Sequence, residues 1–203
     1  MKKAILYILF VCLFTSMSFA TYTYTITEYQ ALPSLEDDET MLVTGQGGGG
    51  LINLFDNSTI TVESTSILEE GFGGIWEIQL IGNSSLSMSG GQVNEINIGN
   101  NSTVFLSGGL VQQIWSGQIA WYQTGNPPVP VWNPHITIEC LDHSYDTNTN
   151  FLTGHWLKDG TAFSIYLINV PHYSPAIDNI RFIPEPATLL LIGIGGFLIR
   201  RKK

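Results

Sequence analysis

Between Gly73 and Gly117 the chain repeats itself at an offset of eighteen residues. GGIWEIQLIGNSSLSMSG (73–90) aligns with GQVNEINIGNNSTVFLSG (91–108), and GLVQQIWSG (109–117) begins a third copy. Ile75, Val93 and Val111 coincide, as do Ile78, Ile96 and Ile114, while Leu86 matches Val104 and Met88 matches Leu106. Gly73, Gly91 and Gly109 open the units, and Asn83-Ser84 falls on Asn101-Ser102. A looser copy, GGLINLFDNSTITV, runs from Gly49 to Val62, with Glu63 to Phe72 reading as an insertion before the regular units. A fixed internal period constrains architecture strongly, because every unit must make the same contacts as its neighbours.

Within a unit the apolar residues alternate, Ile96 with Ile98 and Val104 with Leu106. Alternation signals strands with one buried face, and the Gly-Gly and Gly-Asn pairs between them signal tight turns. So short a unit cannot bury its apolar face alone, but stacked copies can, each strand pairing with its equivalent one turn away. The expected fold is therefore all-β: a short parallel β-helix or solenoid of about four rungs, most simply right-handed. A left-handed coil ranks second, since six-residue steps from Val93 land on Gly99 and then Phe105 and break its apolar hexads. A stack of antiparallel hairpins remains a third arrangement.

The flanks organise around this centre. Residues 21–46 read as an N-terminal cap strand and loop, with Tyr22, Tyr24 and Ile26 alternating with threonines, ahead of the repeats at 47–122. QTGNPPVPV (123–131) is a stiff proline-rich linker. Residues 132–183 read as a small C-terminal antiparallel β cap, built on a hairpin across Lys158-Asp159-Gly160 with Trp156 on one arm and Phe163, Ile165 and Leu167 on the other. Such caps are expected because the open ends of a solenoid pair with other molecules unless covered.

Both termini are addressed to a membrane. Residues 1–20 have the basic start (Lys2, Lys3), apolar run (Ala4 to Phe14) and Ser18-Phe19-Ala20 cleavage site of a signal peptide, with cleavage after Ala20. Cys12 raises a lipoprotein signal as a rival, which bulky Val11 before it argues against. At the other end, Ala187 to Ile199 is an uncharged run of 13 residues. As a hydrophobic helix it reaches only ~20 Å against a ~30 Å hydrocarbon core. Arg200, Arg201, Lys202 and Lys203 follow as a basic stop that stays on the cytoplasmic side, leaving Pro184-Glu185-Pro186 at the outer face. A short, glycine-weakened span behind a rigid proline motif is physically like a signal that is recognised and then removed.

Pro184-Glu185-Pro186, the apolar run and the basic end together resemble the PEP-CTERM sorting tail of bacterial exported proteins, over residues 184–203. The resemblance implies recognition by an exosortase, a membrane-embedded cysteine protease, transient residence in the inner membrane, and delivery to the cell surface or extracellular matrix. An ordinary C-terminal anchor is the alternative. The glycine-punctuated repeats, with LTGHWLKDGTAFSI (152–165), also resemble repeat proteins of planctomycete-type bacteria that bear the same tail. That second resemblance implies architecture and location only.

Charge and cysteine content narrow the functional classes. Residues 21–183 carry two cations, Lys158 and Arg181, against sixteen carboxylates, a formal excess of fourteen negative charges. Such a surface repels phosphate backbones, so no nucleic-acid partner is expected. Cys140 is the single cysteine of this region, so no internal disulfide can form and stability must come from strand ladders and apolar packing.

The candidate sites divide between sharp and plain readings. His135, His143, His155 and His172 all lie in the C-terminal unit without zinc-motif spacing, and no metal or cofactor is expected there. Asp142, Asp146, Asn148 and Asn150 could gather around calcium, but an Asx-rich turn accounts for them more simply. The sequons at Asn57, Asn83 and Asn101 recur in register, which suggests asparagines taking the left-handed backbone of a turn. Glu77 and Glu95 fall at one position of adjacent rungs, ~5 Å apart, and could imitate the carboxylate pair of a glycosidase. Gln113 follows them, and residues 47–122 contain no Lys, Arg or His to act as a lyase base. Thr59, Thr61, Ser85, Ser87, Thr103 and Phe105 lie beside buried positions and could form a hydroxyl face for sugar or ice, though solvated β-faces are commonly rich in Ser and Thr.

The expectation is thus a non-enzymatic, exported surface or matrix protein with no catalytic residues, in contact with exosortase and with extracellular polysaccharide as a candidate partner. A carbohydrate- or ice-binding solenoid is the first alternative and a polysaccharide-active β-helix enzyme the second.

Overall fold

The computed structural model describes residues 21–65, 74–116, 135–169 and 175–183. The signal peptide, the linker at 123–131, His172, Pro184-Glu185-Pro186, the C-terminal apolar helix and the basic stop lie outside the described residues. Among the described residues no helix is long and apolar enough to cross a membrane.

The described chain is all-β apart from one 3-10 turn at Ala176–Asn179. Its strands are β1 (Tyr24–Ile26), β2 (Thr40–Val43), β3 (Gly49–Leu54), β4 (Thr59–Val62), β5 (Ile75–Leu80) and β6 (Ser85–Ile98), followed by β7 (Thr103–Ser116), β8 (His135–Asp146), β9 (Phe151–Trp156), β10 (Ala162–Ile168) and β11 (Ile180–Ile183). The eighteen-residue offset is the physical register: Val93 pairs with Ile75 and Val111, and Ile96 with Ile78 and Ile114. Leu86 likewise pairs with Val104, and Met88 with Leu106. All of these pairings are parallel.

Two parallel ladders result. The first runs β1–β2–β4, through the opening half of β6 and of β7, to β8 and β11. The second runs β3–β5, through the closing half of β6 and of β7, to β10. β6 and β7 cross from one ladder to the other at their Gly-Gly pairs, where the register shifts and Gly91 and Gly109 take φ of 75° and 90°. Substitution there is also blocked sterically, since a Cβ on Gly109 would lie 2.8 Å from the Gly91 carbonyl oxygen.

The ladders are longer than the sequence repeat implies. Within residues 47–122 the second ladder holds four strands, β3, β5, β6 and β7, while the first ladder reaches seven by adding β1, β2, β8 and β11 from outside the repeats. Thr40–Val43, read as part of a capping loop, pairs residue for residue with Thr59–Val62. The C-terminal unit has the antiparallel hairpin read from its sequence and is also tied into both ladders. β9 does pair antiparallel with β8 and β10, but β8 and β10 each add in parallel to β7, so the four close into a ring. β11 then adds in parallel to β8. The physical reason is the alternation at Ile136 and Ile138, which continues the inward columns of Val104 and Leu106.

The core is a set of columns, one apolar side chain per strand. Ile78, Ile96 and Ile114 are fully buried, as are Met41, Ile60, Met88, Leu106 and Ile138. Burial of each large aliphatic contributes ~1.5–3 kcal/mol, the main favourable term for a fold without disulfides. The C-terminal hairpin closes the core with Trp156, whose ring lies 4.5 Å from that of Phe163 and whose indole N–H donates to the Gly109 carbonyl at 3.0 Å. Ile96→Ala opens a cavity between two isoleucines that cannot move together, and is expected to cost ~2–4 kcal/mol of unfolding free energy in urea titrations, with little change in slope.

Candidate functional site

Three polar arrays run along the stack, each from residues in register. The first holds the two glutamates. Glu77 pairs with Glu95 and Glu95 with Gln113, and Gln79 and Asn97 form the neighbouring column. Glu77 Oε1 accepts from Gln79 Nε2 at 2.6 Å and from Asn97 Nδ2 at 2.7 Å. Glu95 Oε1 accepts from the same Asn97 nitrogen at 2.8 Å, and its Oε2 accepts from Gln113 Nε2. Asn97 is 5% exposed, so this amide is the clasp between two half-buried carboxylates. The glutamates are therefore brought together as the sequence suggested, but their lone pairs are engaged by amides rather than aimed across a cleft.

The second array is a ladder of asparagines. Asn101 donates to Asn83, Asn83 to Asn57, and Asn57 to Asp38, each at 3.4 Å between side chains. These are the three sequon asparagines, and their recurrence has a different cause from the one inferred. The left-handed residue is the one before each: Asp56 (φ 54°), Gly82 (φ 77°) and Asn100 (φ 54°), with Asp37 (φ 53°) in the earliest turn. Releasing the Asn side chain from that duty leaves it free to bond to the next turn. Directly after them, Ser58, Ser84 and Ser102 are fully buried, with Ser84 and Ser102 hydroxyls 3.4 Å apart and Ser102 donating to the Gly99 carbonyl at 2.7 Å. The identity of Asn-Ser in every copy was the signal for both arrays.

The third array is the hydroxyl face. Thr40, Thr59, Ser85 and Thr103 form one outward column; Leu42, Thr61, Ser87, Phe105 and Thr137 form the next. Ser85 donates to Thr59 at 3.0 Å. Thr40 extends the face beyond the positions expected from sequence, while Leu42 and Phe105 interrupt it.

The histidines are dispersed. His155 Nδ1 lies 2.9 and 3.1 Å from the two oxygens of the Asp142 carboxylate, and His143 stacks on Phe182 at 3.6 Å with the rings 7° from parallel. His135 stands opposite Thr103 in the first ladder. Among the described residues no group of three His, Cys, Asp or Glu side chains is placed to hold a metal ion. Asp146 closes an Asx turn, accepting from the Asn148 N–H and the Thr149 hydroxyl, both at 2.9 Å. Those bonds hold its carboxyl below the ordinary aspartate range, and bonds from Thr161 do the same for Asp159 in the hairpin turn. Both turns are thus firmest at neutral pH and loosen as acid protonates them. Burial, and then the charge of Asp142, push the Cys140 thiol up. Cys140 is 1% exposed.

Residues 182–203 match the PEP-CTERM protein-sorting motif. That motif implies recognition by exosortase, and export with a C-terminal tail held in the membrane before processing. The match starts inside β11. No curated protein and no solved structure is significantly similar to the chain, so nothing in these comparisons carries the planctomycete-type repeat resemblance.

Two outcomes test the site chemistry. Asn97→Asp puts a third carboxylate between Glu77 and Glu95. Repulsion raises carboxyl pKa values in the folded state, so the variant is expected to lose stability as pH rises through the carboxylate range and to recover it in acid, read by thermal melts at pH 4 and 7. Native Cys140 is expected to resist iodoacetamide at pH 7 and to react on addition of urea, read by intact mass.

Proposed function

We propose that this chain is a non-enzymatic surface or matrix protein, whose body is a short β-solenoid displayed outside the cell after tail-directed sorting. The observation that carries the sorting half is the motif at residues 182–203. The solenoid half rests on register: equivalent residues of successive copies pair in parallel through both ladders, as stacked coils require. The signal peptide at 1–20 and the apolar tail fit one route, export followed by transient anchoring in the inner membrane. The non-enzymatic reading rests on the glutamates being occupied by amide donors and on the lack of Lys, Arg and His in the repeats. The role is then one of placement, an acidic module delivered to the envelope.

A second reading, polysaccharide binding, has one observation in its favour: the paired files of hydroxyls with Phe105 exposed among them. Retention on an insoluble glycan, lost on Thr59→Glu with Thr103→Glu, supports it; thermal hysteresis would instead favour ice. Release of reducing ends from a glycan panel would overturn the non-enzymatic reading.

The sorting reading is tested in a host that expresses exosortase. The parent chain is expected to lose its C-terminal tail, by intact mass, and to leave the membrane fraction. Replacing Pro184, Glu185 and Pro186 by alanine is expected to leave a full-length tail in the membrane. Equal processing of both chains would reject the motif as the signal.

A further inference from the structure

The sorting motif begins within a strand of the folded body. Phe182 and Ile183 belong both to β11 and to the matched segment, with Phe182 paired to Ile138 and stacked on His143, and Ile183 paired to Glu139. Only Pro184, Glu185 and Pro186 separate the sheet from the apolar run that begins at Ala187. The four steps from Ile183 to Ala187 span at most ~14 Å when fully extended. The headgroup layer on each side of a bilayer takes up about 5–8 Å of that reach. While the tail is held in the membrane, β11 therefore lies at the headgroup surface or a few ångströms above it.

The same end of the body has the surface chemistry for that position. Ile183 is 38% exposed, and Leu141, two residues beyond its partner Glu139, is 42% exposed. Of the two cations of residues 21–183, Arg181 lies in β11 itself, while the Lys158 ammonium reaches back to donate to the Ser89 carbonyl of β6 at 3.3 Å. The far end is acidic with no cation to offset it, whereas Arg181 at the β11 end stands among Glu139, Asp142 and Asp178. Residues 21–65 carry Glu28, Glu36, Asp37, Asp38, Glu39, Asp56 and Glu63 with no Lys or Arg. β1, the opposite edge of the first ladder, is six strand steps from β11, or ~29 Å. An anionic bilayer surface repels the cation-free end more than the β11 end, where Arg181 offsets part of the carboxylate charge.

We infer that the anchored protein stands on the lipid headgroup surface on its β11 end, with Arg181, Ile183 and Leu141 as the foot and the acidic Glu36–Glu39 turn pointing away. The partner of this surface is the bilayer itself. This inference rests on the sorting reading above, since it needs the tail to be held in the membrane.

The experiment places a fluorophore on Leu141→Cys or on Thr25→Cys, both exposed positions, in a Cys140→Ser chain that retains its tail. The chains are inserted into vesicles of phosphatidylethanolamine and phosphatidylglycerol carrying a headgroup nitroxide quencher. A third probe at Ile199→Cys is read against an acyl-chain quencher. Loss of fluorescence is expected at 141 and at 199, with none beyond the quencher-free control at 25. An unquenched 199 would remove the anchored state and the inference with it. A quenched 199 combined with an unquenched 141, or with 25 quenched as strongly as 141, would overturn the seating and leave the sorting reading intact.

Discussion

Like-on-like pairing between successive copies is the constraint on which everything else depends. Parallel register at a constant offset puts each side chain beside its own equivalent ~4.8 Å away. For an isoleucine column this is favourable without further provision, because identical branched side chains nest. For polar residues it is favourable only when the side chain both donates and accepts. Asparagine meets that condition, and the Asn57–Asn83–Asn101 file is built from it. Buried serine meets it too, as Ser84 and Ser102 illustrate. Glutamate does not: it only accepts, and two stacked carboxylates repel. The chain answers by interleaving Gln79, Asn97 and Gln113 as donors, so the one like-charged pair in the repeats becomes a bonded network.

The same constraint decides how much was legible in the sequence. Where the offset stays at eighteen, from Ile75 to Ile114, the register of the ladders could be written down from the letters alone. Where the offset changes, the signal fades although the pairing does not. Met41 and Val43 pair with Ile60 and Val62 nineteen residues on, and Ile136 and Ile138 pair with Val104 and Leu106 across a long proline-rich interval. A self-comparison at one period cannot see these strands, and a four-residue alternation is too short to stand alone. The C-terminal segment is legible only in part for a related reason: its antiparallel hairpin is local, while its parallel pairing with β7 depends on residues some fifty positions earlier.

The site was read less well than the fold, and for reasons of chemistry at the turns. Recurrence of Asn-Ser was attributed to backbone conformation, when Asp56, Gly82 and Asn100 one residue earlier carry the positive φ. Sequence recurrence says that a position is used alike in each copy, without saying whether backbone, side chain or burial is what is used. Nothing in the letters brings Asp142 to His155 or His143 to Phe182, because both contacts cross between strands whose pairing is not evident from sequence.

The uneven charge of the stack follows from these same rules. Outward columns within the ladders favour uncharged residues, since a charge in one copy faces its equivalent in the next. The carboxylates of residues 21–65 accordingly collect where stacking imposes nothing, in the turns and ends: Glu36, Asp37, Asp38 and Glu39 before β2, Asp56 before β4, Glu63 after it. Asp38 shows how the two regimes join, accepting from Asn57 at the free end of the asparagine file, where no further copy exists to supply a carbonyl. An acceptor-only residue is suited to that terminal position and to no interior one. Charge at the ends thus terminates the polar files and, by like repulsion, discourages a second molecule from continuing the ladder at β1, its last strand among the described residues.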